Sequence, residues 1–160
     1  MSKYSNRDNI ILDLISSILS SGDSSRLKRE IVTNKKIVVN ISCWTNTPGA
    51  RFNSLFVIEG LPRHPHTTEE LEDAIYGQLE KMKIEPVTKD EIERAINQEE
   101  AALYKASGYS ENIFIAMRIL WNVIVCNDID TEFKRVETMK NITPEEIMDV
   151  AKKYFTESNR

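Results

Sequence analysis

The sequence predicts a helix-rich chain of the α/β (α+β) class, one antiparallel β-hairpin set among amphipathic helices. Three observations carry that prediction. Thr and Glu three residues apart open two segments of 3.6-residue apolar period, at Thr88/Glu91 and Thr143/Glu146, the capping-box pattern in which each side chain satisfies an orphan backbone N–H. Only Ile37–Gly60 reads as sheet. The 160 residues, 41% of them apolar, are enough for one compact core and too few for two ordinary domains, so residues 1–160 are expected to form a single domain.

The elements follow in order. Ile11, Leu14, Ile15 and Ile18 keep the i, i+3, i+4, i+7 spacing of an amphipathic helix that begins near Arg7. Gly22 suits the turn that ends it, and a second helix is expected from Ser25 to about Asn34, with Asp23 or Ser24 as its N-cap. Strands are expected at Ile37–Trp44 and Phe52–Gly60, with Pro48-Gly49 suited to a tight turn between them. After "TTEE", Leu71, Ala74, Ile75, Leu79 and Met82 give an amphipathic helix; Ile92, Ala95, Ile96 and Leu103 give a long charged one. Ile113–Cys126 is the longest apolar run, too short to span a bilayer, and is expected to be a core helix. Phe133, Val136 and Met139 mark a shorter helix. Pro144 at a first helical position starts the last, through Ile147, Val150, Ala151, Tyr154 and Phe155. A two-stranded sheet cannot cover so many helix faces, so the chain is expected to be part of a larger sheet, lacking its flanking strands and leaving hairpin edges open to pairing.

Composition excludes several functions. A net charge of −4 and a pI near 5.3, with no basic cluster beyond "RLKR" and "NKK", argue against a nucleic-acid partner. Cys43 and Cys126 form neither a C-x-x-C pair nor a disulfide framework and read as buried, reduced thiols. The polar opening "MSKYSNRDN" does not have the form of a signal peptide.

No catalytic constellation emerges from the residues alone. "GDSSRLKREIV" lacks the second glycine and the lysine of a P-loop, and neither Ser24 nor Ser25 sits in a G-x-S-x-G elbow with a base beside it. Its stronger reading is a helix junction, with Arg26 reaching a neighbouring carboxylate or carbonyl. His64 and His66 flank a proline in a loop, without a third Cys or His nearby to complete a metal site. The acidic pairs of "TEELED", "KDEIE" and "PEEI" fall in first helical turns, where they complement the macrodipole. Trp44 and Trp121 read as core or rim aromatics.

The order of these pieces carries more than any one of them. Ser24-Ser25-Arg26-Leu27 after a glycine turn, the V-T-x-x-E-x-E-R-A-x-N run from Val87 to Asn97, and the closing V-A-x-K-Y at Val150–Tyr154 together resemble the C-terminal half-domain of insulinase/pitrilysin-family zinc metallopeptidases. The likeness extends over nearly the whole chain and is nearest to the processing-peptidase-like branch. It implies a mainly antiparallel sheet with helices packed on one face. The compartment is left open by the sequence: a soluble protein is expected, cytoplasmic or periplasmic if bacterial.

In that family the zinc ligands and general base sit in H-x-x-E-H on the other half, and this sequence contains no such motif. An Arg and a Tyr that help hold the substrate would fall at about positions 32 and 39, both valine here. The resemblance therefore implies a half-domain with no catalytic residue, metal ligand or cofactor of its own, walling a peptide chamber. Its expected partners are a zinc-bearing N-terminal half, a second subunit that carries the Arg/Tyr pair, and a peptide substrate. The alternative it implies is a proteolytically inactive scaffold of the same fold.

Overall fold

The computed structural model describes residue 4, residues 6–105 and residues 111–159. Its centre is helix α1, Arg7–Ser20, whose N-cap Asn6 accepts the Asp8 N–H at 2.9 Å. The expected stripe is there, but Ile10, Leu12, Leu14 and Leu19 are buried as well. Strand β1 (Val38–Thr47) and helices α3 (Lys89–Lys105), α5 (Thr131–Met139) and α6 (Pro144–Tyr154) all pack against α1. The helix read as amphipathic is thus the core of the domain.

The chain leaves α1 through Gly22, whose φ of +75° lies in the left-handed region that glycine enters without a Cβ clash. A further helical segment follows at the expected place. From Lys28 to Asn34 it is wound as a π-helix, the Lys35 N–H bonding the Glu30 carbonyl at 3.0 Å.

Strands β1 and β2 (Leu55–Pro62) pair antiparallel, with Ile41 opposite Gly60, Cys43 opposite Ile58 and Trp44 opposite Val57. Two irregularities, at Val38/Ile41 and Trp44/Thr47, each put an extra residue into β1. Residues 48–54 join the strands in an open loop, not the tight turn expected at Pro48-Gly49. The pairing continues to Thr47 opposite Leu55, and Pro48, with no N–H to donate, follows where the ladder stops. Ile41, Cys43, Phe56 and Ile58 belong to the face packed on the helices, while Trp44 and Glu59 are exposed on the opposite one. The domain is α+β, with helices on one face of an antiparallel pair.

Helix α2, Thr68–Ile84, lies under β2 and buries Leu71, Ala74, Leu79 and Met82. It opens with a third capping box, Thr67 with Glu70. Helix α3 buries Ile92, Ala95 and Ile96; the side chain of Leu103 lies outside those described. Helix α6 closes the structure on Ile147, Val150 and Ala151, followed by a 3-10 turn at Glu157–Asn159.

Helix α4, Glu111–Cys126, is not the core helix its hydropathy suggests. Ile113, Met117, Leu120 and Ile124 are 61, 62, 58 and 56% exposed. The helix packs against α5, where Asn122 is buried and donates to the Ile129 carbonyl at 3.2 Å. The reason is geometric: the faces of α1 are already taken by β1, α3, α5 and α6. No described helix is long and apolar enough to cross a membrane.

Candidate functional site

A largely buried polar junction joins two of the segments singled out in the sequence. Arg26 donates from Nε and Nη2 to the two carboxylate oxygens of Glu91 at 2.7 and 2.8 Å. Both side chains are largely buried, at 11 and 13% exposure. The same carboxylate accepts the Thr88 N–H at 2.9 Å while Thr88 Oγ1 accepts the Glu91 N–H at 3.2 Å. Arg26 above all, with the Thr88 backbone N–H adding to it against the opposing effect of burial, brings the Glu91 carboxyl down to about 2. The arrangement binds the start of the helical turn after Gly22 to the start of α3 and leaves no acid or base poised for chemistry.

Neither Asp23 nor Ser24 is the cap. Both are exposed in the turn, and the helical geometry begins at Arg26, which makes Ser25 the last residue before it. Ser25 is fully buried, its Oγ donates to the Gly22 carbonyl at 2.7 Å, and its own carbonyl takes the Arg29 N–H at 2.9 Å. Thr143 and Glu146 exchange capping-box bonds at 3.3 and 3.0 Å, and Arg7 holds that glutamate at 2.8 and 2.9 Å. Each of these two boxes therefore lends its glutamate to an arginine from a distant element.

A second polar cluster lies between α1, β1 and α5, and sequence pattern gave no signal for it. Arg135, 4% exposed, pairs with Asp13, which also accepts from Thr45 Oγ1. Its guanidinium lies 3.7 Å from the centre of the Tyr4 ring, and the Tyr4 hydroxyl donates to Glu132 at 2.7 Å. Burial raises the Asp13 carboxyl against the pull of Arg135, and raises Glu99. Only the long-range fold gathers these residues.

The remaining candidates stay apart. His64 is exposed, and His66 Nδ1 contacts Glu70 Oε2 at 2.9 Å at the start of α2. Among the described residues no three His, Cys, Asp or Glu side chains gather to hold a metal ion, so the residues present do not fit a catalytic zinc. Val32 packs half-buried on the core, and Val39 is 73% exposed on β1; neither can donate to a substrate carbonyl. Trp44 Nε1 donates to Thr47 Oγ1 at 2.9 Å, and Trp121 meets the Tyr4 ring edge-on at 4.8 Å. Cys43 and Cys126 are free and only partly buried by exposure, and desolvation pushes the Cys43 thiol up to about 12.

One concave surface stands out. A groove of about 510 Å³ runs along β2, walled by Phe56 and Ile58, by Leu71, Ile75 and Leu79 of α2, and by Phe155 beyond α6.

Comparison with known proteins agrees with this architecture. The fold matches an inactive peptidase domain from Bordetella parapertussis at a TM-score of 0.84 and 19% identity, covering 100% of this chain and 84% of that one. It matches a protease from Helicobacter pylori at 0.80 and 22% identity, covering 99% of this chain but 37% of that one. A chain of complex III2 from Candida albicans matches at 0.77 and 14% identity, over 95% of this chain and 37% of its own. The chain thus spans little more than a third of the length of the Helicobacter and Candida chains. No curated protein matches it. Residues 1–99, including the Arg26–Glu91 junction, match the family described as the peptidase M16 inactive domain, and the chain belongs to that family.

Proposed function

We propose that this chain is the non-catalytic half-domain of a zinc metallopeptidase, one that walls the peptide-binding chamber and supports a zinc-bearing N-terminal half. The observation that carries the reading is the match to an inactive peptidase domain, in a chain whose described residues assemble no metal-ligand set. Zinc belongs to the partner half in this reading, and a second subunit supplies the Arg/Tyr pair absent at Val32 and Val39. The motif order favours the processing-peptidase-like branch. A second reading, an inactive scaffold of the same fold, draws support from the likeness to a complex III2 chain.

The test is reconstitution. The chain is purified alone and with a zinc-bearing half from the same genome, then assayed for bound metal and for cleavage of a fluorogenic peptide. The proposal expects no stoichiometric zinc in the chain alone, a one-to-one complex with the other half, and turnover that needs both. Zinc that survives dialysis in the chain alone, or a zinc half fully active without it, overturns the proposal. A stable complex without turnover selects the scaffold.

A further inference from the structure

A second hollow, of about 430 Å³, opens where the helical segment after Gly22, the C-terminal half of α2 and the first turns of α3 meet. A cavity of that size takes a small molecule. Pro86 is the one apolar residue among those that line it; the others are charged or polar, and the Arg26–Glu91 pair forms part of the wall.

The charges around the hollow are unequally matched. Arg29, Lys81 and Arg94 line it from three different elements, and among the described residues none of them is in an ion pair. Arg94 is nevertheless half-buried, and a guanidinium withdrawn from water without a counter-charge is costly. It belongs to the V-T-x-x-E-x-E-R-A-x-N run, in which Thr88 and Glu91 start α3 and Glu91 holds Arg26; Arg94 does neither. The carboxylates of the wall are committed elsewhere. Glu91 is held by Arg26, and Glu30 accepts from Asn34 Nδ2 at 3.2 Å and lies 3.5 Å from Lys35 Nζ, with Lys81 acting on it only at longer range. Glu85 and Asp90 are exposed.

Gln78 is an independent sign of a ligand. It shares one face of α2 with Lys81 and Glu85, at the i, i+3, i+7 spacing, and it lines the hollow. It is 7% exposed, yet its amide bonds to no described residue. A buried amide with its donors unmet calls for an acceptor beside it. The positive end of the α3 backbone dipole opens onto the same space, where Thr88 and Asp90 line it.

We propose that this hollow binds the phosphate monoester of a small hydroxylated molecule, with Arg29, Lys81 and Arg94 holding the phosphoryl oxygens, Gln78 Nε2 donating to one of them, and Glu85 and Asp90 accepting from hydroxyl groups of the ligand. The proposal goes beyond the chamber-wall reading and does not depend on it. Guanidinium groups match oxyanions in geometry as well as charge. A phosphoryl group offers three oxygens to the three cations, where a carboxylate offers two. Inorganic phosphate alone leaves both rim carboxylates without a role. A polyphosphate brings further negative charge against Glu85 and Asp90, and an apolar ligand finds only Pro86.

The test uses the 160-residue chain. It is titrated in a calorimeter at constant ionic strength with β-glycerophosphate, glucose monophosphate, inorganic phosphate, tripolyphosphate and glucose. Saturable one-to-one binding of at least one monoester is expected, at least tenfold tighter than inorganic phosphate or tripolyphosphate, with no binding of glucose. Arg94→Gln should weaken it at least tenfold and Gln78→Leu a few-fold, whereas Lys152→Gln, which removes a cation outside the hollow, should leave it unchanged. Without ligand, Arg94→Gln should melt at the wild-type temperature, because the side chain has no partner to lose. Should Gln78→Leu fail to fold, Arg94→Gln still decides the matter. No saturable binding of either monoester overturns the proposal, as does an effect of Lys152→Gln equal to that of Arg94→Gln, which marks general charge screening. Inorganic phosphate or tripolyphosphate binding as tightly as the monoesters overturns the ligand class, and a destabilised Arg94→Gln shows that the chain itself already satisfies Arg94.

Discussion

Arg26 grips both oxygens of Glu91 across 65 residues of sequence, and Glu91 is at the same time the N3 residue of the box that starts α3. The relationship recurs at the other end of the molecule, where Arg7 grips Glu146, the N3 residue of the box that starts α6. In both places one carboxylate starts a helix and fixes its position against another element. The difference is burial: the Arg7–Glu146 pair is 45 and 35% exposed, the Arg26–Glu91 pair 11 and 13%. Water screens the first and hardly reaches the second, so the second carries more energy.

Glu91→Gln and Arg26→Ala should each cost about 2 to 3 kcal/mol, since each leaves a largely buried partner without its counter-charge. The double mutant should cost less than the two single losses added together, because one interaction is removed twice. Urea denaturation of the four proteins measures this coupling. By the same logic Glu146→Gln should cost about 1 kcal/mol, most of it from the cap.

Acid should weaken the same junction. The carboxyl of Glu91 is held at about 2 in the fold, against its ordinary value of 4.5 when unfolded. A depressed carboxylate stabilises the fold fully above the unfolded value and loses that contribution as pH falls through the folded one. The stability gap between the wild type and Glu91→Gln should therefore be constant from pH 7 to about 5 and narrow steadily toward pH 2. Denaturant midpoints at a series of pH values test it; a gap independent of pH would show that Glu91 is not held by Arg26.

The turn before this junction makes its own prediction. Asp23→Ala and Ser24→Ala together should change stability by no more than about 0.5 kcal/mol, whereas Ser25→Ala should cost about 1 kcal/mol. Gly22→Ala should cost about 1 to 2 kcal/mol for its positive φ. It also brings a Cβ to 2.9 Å from Gln98 Nε2, a side-chain end able to shift. Thermal melts of the variants weigh the buried Ser25–Gly22 bond against any contribution of Asp23 and Ser24.

Helix α4 should tolerate charge where a core helix would not. Met117→Lys and Ile124→Lys should each leave the midpoint within about 0.5 kcal/mol of the wild type, because both side chains are already more than half exposed. Ile15→Lys, at 0% exposure in α1, should prevent folding. Circular dichroism melts compare the three.

Local signals were strong enough to be read without a structure wherever the physics is local. A threonine and a glutamate three residues apart bond the same turn of backbone, so the starts of α3 and α6 are written into Thr88/Glu91 and Thr143/Glu146 themselves. The alternating run through Ile41 and Cys43 likewise carries its own strand period. The absence of H-x-x-E-H and the valines at 32 and 39 are also properties of the sequence alone. Asp23, Ser24 and Ser25 are all good caps by type, and only the fold turns the Ser25 hydroxyl back to the Gly22 carbonyl and leaves Asp23 and Ser24 exposed.

Tertiary structure decided everything that depends on which faces meet. Ile113–Cys126 is the more apolar of the two segments, yet α1 is enclosed by four elements and α4 packs against α5. Burial belongs to neighbours, which periodicity does not name. Asp13 and Arg135 stand 122 residues apart, so neither announces the other until α1 and α5 pack and exclude water between them. The groove along β2 is lined jointly by residues of β2, α2 and the segment that follows α6, which only packing brings together. The sequence determined where helices and strands begin and which zinc chemistry is missing; the packing of those elements, governed by volume and solvent exclusion over the whole chain, determined which apolar surfaces became core and which stayed exposed.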